Sequence, residues 1–428
     1  MKPLFLTEVK THSAYDGETF WLEAKAGKWL GKLEAKLDRD QALIKIDCGD
    51  EALALLLLVT GARQALYQMK VQAVVMRKPE SALLPLIKQA GYLKTDQGWE
   101  LPFDLDFNSR GVKVVLVGGV VSSREVMRAM IRRGAPPVLA VGYSRAKSDL
   151  SGYVDLDPLC EDNSIQLIKT EDVNAPDVVE AVTAAKPDYI CVFGWSQLLS
   201  PELLAAARVG CLGMHPTKLP DGRGRAPIPW TLIKGMTESA QSLFWLAEQA
   251  DEGELADQRP FTIDRTDNAL TLYDKIVRVQ MEQVEEALPM MAVGTLSRVK
   301  QDLSQGEVWL RRRPEDGVID WRKPAEELYN WVRGLTHPYP GAFTSLHSRK
   351  LYVWHADLID GFGLSKAEPG TVVGLEVGAG HSDGAILVTC GDGRLLALRR
   401  VQFQGGDQEG GYRLHEAGQI AVGMRFDT

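Results

Sequence analysis

Four consecutive apolar residues, Val114-Val115-Leu116-Val117, open directly into Gly118 and Gly119, and a helical stretch follows from about Ser123. No other stretch limits the fold so tightly. A strand that is apolar at every position is buried on both faces, so both faces must be covered by other elements. Further strands are expected at Pro137–Val141 and Tyr189–Phe193, with helices near Ala175–Ala185 and Pro201–Ala206 and a long one over about Asn268–Met290. Strand and helix in alternation predict an α/β fold with a doubly wound, mostly parallel sheet. A dinucleotide site is disfavoured, because Gly118-Gly119-Val120-Val121-Ser122-Ser123 lacks the G-x-G-x-x-G order.

The chain has 428 residues, enough for two or three cores. We divide it at 1–108, 109–305 and 306–428. In the first part, strands are expected at Ala42–Ile46, Val71–Met76 and Trp99–Phe103, with helices over Glu51–Met69 and Ser81–Ala90. This strand, helix, strand, helix order, ending in Gln89-Ala90-Gly91-Tyr92, resembles the back half of a GNAT-type acetyltransferase, an α+β fold. Acetyl-CoA binding in that fold needs a glycine-bearing loop at a helix N-terminus. The one candidate, Thr60-Gly61-Ala62-Arg63, falls inside the helix, so a non-catalytic domain is expected. In the last part a helix over Ala325–Leu335 precedes short strands at Leu351–Trp354, Thr371–Val377, Ala385–Thr389 and Leu395–Arg399, which read as a small barrel or open sheet.

Composition removes several functions. A net charge of −8 argues against a general binder of nucleic acid or anionic membranes. Five scattered cysteines without a C-x-x-C pair argue against a zinc site or disulfide frame, and point to a reducing compartment, the cytoplasm. The apolar run Ala52–Val59 is too short to span a bilayer, and the N-terminus does not read as a signal peptide.

The chemistry concentrates in Gly210-Cys211-Leu212-Gly213-Met214-His215-Pro216-Thr217-Lys218-Leu219-Pro220 and the following Gly222-Arg223-Gly224-Arg225-Ala226-Pro227. His215 is expected in a turn stiffened by Pro216 and Pro220. A neutral imidazole can accept a proton near neutral pH, and a nearby carboxylate can steady the charged ring. The partner carboxylate is expected from Asp251, in Asp251-Glu252-Gly253-Glu254-Leu255-Ala256-Asp257-Gln258. The His-Pro-x-x-Leu-Pro turn, the D-x-G-x-L-x-x-Q run, the block Arg312–Trp321 and Thr336–Phe343 together resemble the formyltransferases that use 10-formyltetrahydrofolate. The last two stretches are nearest to the sugar N-formyltransferases.

That resemblance implies His215 and Asp251 as catalytic residues. It implies Phe193, Gly194, Trp195 and Leu198, with Asp251, as contacts for the folate, and Arg223 and Arg225 as contacts for an anionic substrate or the folate tail. No metal is implied, and a homodimer is the family's habit. One position departs from the family: its catalytic Asn, two residues before the His, is Gly213 here. Between Glu315 and Thr428 there are 15 Asp and Glu against 11 Lys and Arg, which disfavours a tRNA acceptor. A nucleotide-linked amino-dideoxy sugar is the favoured acceptor, a small molecule whose diphosphate a few arginines can hold. Hydrolysis of formylfolate, transfer to methionyl-tRNA and a non-catalytic folate-binding scaffold stay as alternatives. The hydrolase domain of 10-formyltetrahydrofolate dehydrogenase resembles this segment too and also lacks the Asn.

Overall fold

The computed structural model describes residues 9–15, 19–26, 29–38, 41–47, 73–76, 93–95, 98–102, 111–148, 150–359, 364–377 and 384–427. Strands β1 (Val9–Tyr15), β2 (Thr19–Ala26), β3 (Trp29–Asp38), β4 (Gln41–Asp47), β5 (Ala73–Met76), β6 (Leu93–Thr95) and β7 (Gly98–Pro102) form one sheet, in the order β1-β2-β3-β4-β5-β7-β6. Only β4 and β5 run parallel. β4, β5 and β7 lie where strands are expected, and β1–β3 and β6 go beyond that expectation. The helices expected over Glu51–Met69 and Ser81–Ala90, with the Thr60–Arg63 stretch, lie outside the described residues.

The second sheet is built on β8 (Val114–Val117), β9 (Leu139–Tyr143), β10 (Gln166–Thr170), β11 (Tyr189–Val192) and β12 (Gly210–His215). β13 (Arg223–Gly224) stands apart from it, and β14 (Glu238–Trp245) and β15 (Leu255–Thr262) complete the order β10-β9-β8-β11-β12-β14-β15. The first five are parallel, as expected, and the last two are an antiparallel addition. The apolar run of β8 works as its composition demands. Val114 and Leu116 face one core, with Val126, Met127 and Met130 of the helix Val121–Arg132 and Val284 and Leu288 of the helix Ala269–Val293. Val115 and Val117 face the other, with Val178 and Val182 of Pro176–Ala184 and Leu203 of Pro201–Ala206. The long helix starts where Asn268 accepts hydrogen bonds from the Leu270 and Thr271 N–H groups, and it ends at Gly294, whose φ is +70°.

A connecting segment carries β16 (Val308–Trp309), which pairs with β13. The third sheet contains β17 (Ala342–Leu346), β18 (Arg349–Ile359), β19 (Val372–Glu376), β20 (Ala385–Thr389) and β21 (Leu395–Phe403), in the order β17-β18-β21-β20-β19, with β22 (Glu409–Gly410) on β21. It is an antiparallel sheet covered by the helix Ala325–Leu335, which occupies the predicted residues. The Arg312–Trp321 block is the seam of this unit: Ile319 and Trp321 are fully buried, and the Trp321 indole N–H donates to Thr344 Oγ1 at 3.0 Å. Among the described residues no helix is long and apolar enough to cross a membrane.

Candidate active site

His215 is the last residue of β12, a strand end rather than a turn residue. β12 lies between parallel β11 and antiparallel β14, with Gly213 paired to Val192 and Phe244, and His215 paired to Ser242. Alternation sets Leu212 and Met214 on the face of the long helix, so Gly213 and His215 face the other side. The loop after the histidine is tied to β14 and β15. Ser242 Oγ donates to Thr217 O at 2.7 Å, and Gln258 Nε2 donates to Leu219 O at 2.9 Å. The closing glutamine of the D-x-G-x-L-x-x-Q run therefore braces the backbone that follows the histidine.

The ring of His215 is buried, with Nε2 2.8 Å from Gly222 O. A carbonyl only accepts, so this contact places the hydrogen of the neutral ring on Nε2 and leaves the Nδ1 lone pair for chemistry. Nδ1 lies 3.6 Å from Asp251 Oδ2, just beyond hydrogen-bond length. Asp251 Oδ2 accepts instead from the Gly224 N–H at 2.8 Å. Gly222 thus orients the ring, and the Gly224 N–H holds the Asp251 carboxylate beside it.

The Asp251 loop has an unusual backbone. Asp251 itself has a φ of +60°, a region that non-glycine residues seldom adopt. A Cβ on Gly253 would sit 1.7 Å from Trp245 O, so only glycine lets the chain pass β14 there. Gln301 Nε2 donates to Asp251 O at 2.8 Å and to Gly253 O at 2.6 Å. This residue had no signal in the sequence, because it lies 50 residues away from Asp251 in the chain.

Gly213 occupies a filled corner. A Cβ there would lie 2.6 Å from Leu246 Cδ2 and 3.0 Å from Phe244 Cζ. The space an asparagine side chain would need is taken by two apolar groups. Gly213→Asn is therefore expected to lower stability by about 1–3 kcal/mol through overpacking and to add nothing to turnover. Urea unfolding measures the first effect. Adding Leu246→Ala to the same variant should recover part of the stability if crowding is its cause.

The loop after β11 leaves the sheet beside Gly213. The Phe193 side chain is buried in the core, and its carbonyl accepts from Ser123 Oγ at 2.5 Å. Any part it takes in ligand binding is thereby limited to backbone. Gly194 has a φ of +73°, and its backbone is exposed. Trp195 is half-buried, with one face stacked on Tyr143 at 3.7 Å between ring centroids. Leu198 is 54% exposed.

The two arginines differ. Arg223 is buried, and its guanidinium donates to Pro220 O, Glu252 Oε1, Leu303 O and Gln305 O. It braces its own loop, contrary to the expected contact with a substrate. Arg225 is exposed, and its guanidinium has no partner among the described residues. Cys211, on the same face of β12, is buried, which pushes its thiol up to about 12, so it is no thiolate nucleophile at neutral pH. Among the described residues, no group of three His, Cys, Asp or Glu side chains is placed to hold a metal.

Residues 112–288 match the family model described as formyl transferase, and residues 311–414 match the formyl transferase C-terminal domain. The chain is similar to HypX from Aquifex aeolicus, solved with tetrahydrofolic acid, at 17% identity and a TM-score of 0.52, over 72% of this chain and 48% of that one. It spans only about half the length of that protein. It is also similar to an N-formyltransferase from Helicobacter canadensis, solved with folinic acid and dTDP-3-aminofucose, at 14% identity and a TM-score of 0.50, over 67% of this chain and 98% of that one. A methionyl-tRNA formyltransferase from Clostridium thermocellum is similar at 18% identity and a TM-score of 0.45, over 59% and 95%. At these identities the likeness is one of fold.

Proposed function

This chain belongs to the formyl transferase family, whose two models together cover about two thirds of it, and from that premise we propose that it moves a formyl group from 10-formyltetrahydrofolate to the amine of a nucleotide-linked amino sugar. The observation that carries this reading is the pair of side chains at the end of β12, with His215 Nδ1 at 3.6 Å from Asp251 Oδ2. Open α/β sheets take their ligands at the C-terminal ends of parallel strands. The residues there fit a flat, partly apolar ring: exposed Leu198, the open edge of Trp195 and the bare backbone of Gly194.

The folate supplies the formyl carbon, which the acceptor amine attacks. His215 Nδ1 takes the proton that the amine must lose as the new C–N bond forms. Asp251 balances the positive ring while it lasts, and the same proton is then available to the folate nitrogen as its bond to the formyl group breaks. Gly213 offers no side-chain donor to the formyl oxygen. In this reading the charged His215 ring and backbone N–H groups take that part. Exposed Arg225 holds the acceptor's diphosphate. The first segment is read as a non-catalytic domain, and acetyl-CoA binding by it would contradict that part.

The test is tetrahydrofolate release from 10-formyltetrahydrofolate with and without a panel of nucleotide-linked amino sugars. Release that requires an amino sugar supports the reading. Arg225→Ala should then raise the acceptor KM by about tenfold, as expected for one charged hydrogen bond, with the folate KM unchanged. Release without an acceptor would make the protein a formylfolate hydrolase. Folate binding with no release would leave it a scaffold.

A further inference from the structure

The segment Ser297–Trp309 joins the two family-matched regions and belongs to neither. It runs past both loops that carry the candidate site. On the Asp251 side, Val299 exchanges two backbone hydrogen bonds with Leu255, at 2.7 and 2.9 Å, and Gln301 spans the carbonyls of Asp251 and Gly253. On the His215 side, Arg223 donates to Leu303 O and Gln305 O, and the Glu307 N–H donates to Asp221 Oδ1 at 3.1 Å. β16 then pairs with β13, and the Trp309 ring fills the space beside Gly222, whose carbonyl orients the histidine.

We propose that this segment is a positioning strap for the catalytic pair and that Gln301 is the residue that holds Asp251 against His215. The inference rests on the formyl transfer reading above. Asp251 stays at positive φ only while its surroundings over-determine it. Two carbonyls of one tight loop sharing a single amide donor is such a constraint. The Gln301 carbonyl oxygen is buried without a partner, so the side chain keeps this place despite one unpaired polar atom. Its donor end is what the loop uses.

The experiment compares Gln301→Met and Gln301→Glu with the parent chain. Both keep the approximate size of the side chain and remove its N–H donors. The expected result is a fall in kcat of about 10- to 100-fold, as for a misplaced catalytic group, with the folate and acceptor KM values within about twofold and the melting temperature lowered by only a few degrees, the cost of the lost hydrogen bonds. In the Asp251→Asn background the same changes should cost little more, because Gln301 acts through Asp251. Hydrogen exchange of the peptide over residues 250–256 should speed up in both variants, while residues 189–195 stay protected. Equal losses with and without Asp251, or unchanged exchange over 250–256, would overturn the strap while leaving formyl transfer intact. Faster exchange over 250–256 in both variants, with a parent chain that turns over no formylfolate, would overturn the functional reading itself and reduce Gln301 to a structural tie.

Discussion

Alanine in place of His215 is expected to lower formyl transfer by about 10²–10⁴-fold, the usual contribution of a positioned acid–base group. The fold should survive. The ring's hydrogen bond to Gly222 O is lost, but that carbonyl still has the Thr217 hydroxyl 3.4 Å away. The loop also keeps its ties through Ser242 and Gln258, so the cost to stability should be that of one hydrogen bond and a small cavity, about 1–3 kcal/mol. Folate binding, followed by tryptophan fluorescence, should change little, since the proposed folate contacts Trp195 and Leu198 follow a different strand. Turnover within a few-fold of the parent would remove His215 from the mechanism. Turnover and binding lost together would mean that the ring holds the site's shape rather than moving a proton.

The pairing of His215 with Asp251 was legible because the local backbone demands leave marks in the sequence. Gly253 must be glycine beside Trp245 O, and Gln258 must reach the loop after the histidine, so the D-x-G-x-L-x-x-Q run is readable as a unit. β8 was legible for a similar reason, since an unbroken run of apolar residues marks a strand covered on both faces. β14 was not. It carries Ser239, Gln241 and Ser242, all buried, and no simple pattern of apolar residues betrays a strand that hides polar side chains, those of Gln241 and Ser242 within hydrogen bonds to the long helix and the loop after His215. The burial of Arg223 was equally hidden, because its partners at Leu303 and Gln305 come from 80 or more residues further along the chain. The same holds for the apolar filling over Gly213. The sequence shows the missing asparagine, but only the register of β12 on β14 and the place of Leu246 just after β14 show that its space is occupied.

Gly253→Ala should do nearly as much damage as removing the histidine, by a different route. The new Cβ would meet Trp245 O at 1.7 Å and Trp245 C at 2.8 Å, both backbone atoms, so no rotamer change relieves the contact. Trp245 cannot retreat easily. Its N–H donates to Glu254 O at 2.8 Å, its indole N–H donates to Ser297 O at 2.8 Å, and the Arg298 guanidinium lies 3.5 Å over its ring. The loop must therefore move, and with it the two carbonyls held by Gln301 and the Asp251 carboxylate held by Gly224. A displacement of about 1 Å at a catalytic group can cost on the order of 10²-fold in rate, and the overpacking itself about 1–3 kcal/mol or more of stability. Gly406→Ala is the control, since its nearest neighbour is Phe403 O at 3.4 Å and its φ is ordinary; both stability and turnover should be unchanged. If Gly253→Ala unfolds at the same urea concentration as Gly406→Ala and turns over formylfolate at the parent rate, the loop can relax without losing the carboxylate's position. Asp251 would then be needed near His215 only loosely, as a charge rather than as a placed partner. A large loss of rate in a chain that still folds would instead tie catalysis to the backbone path that glycine alone permits.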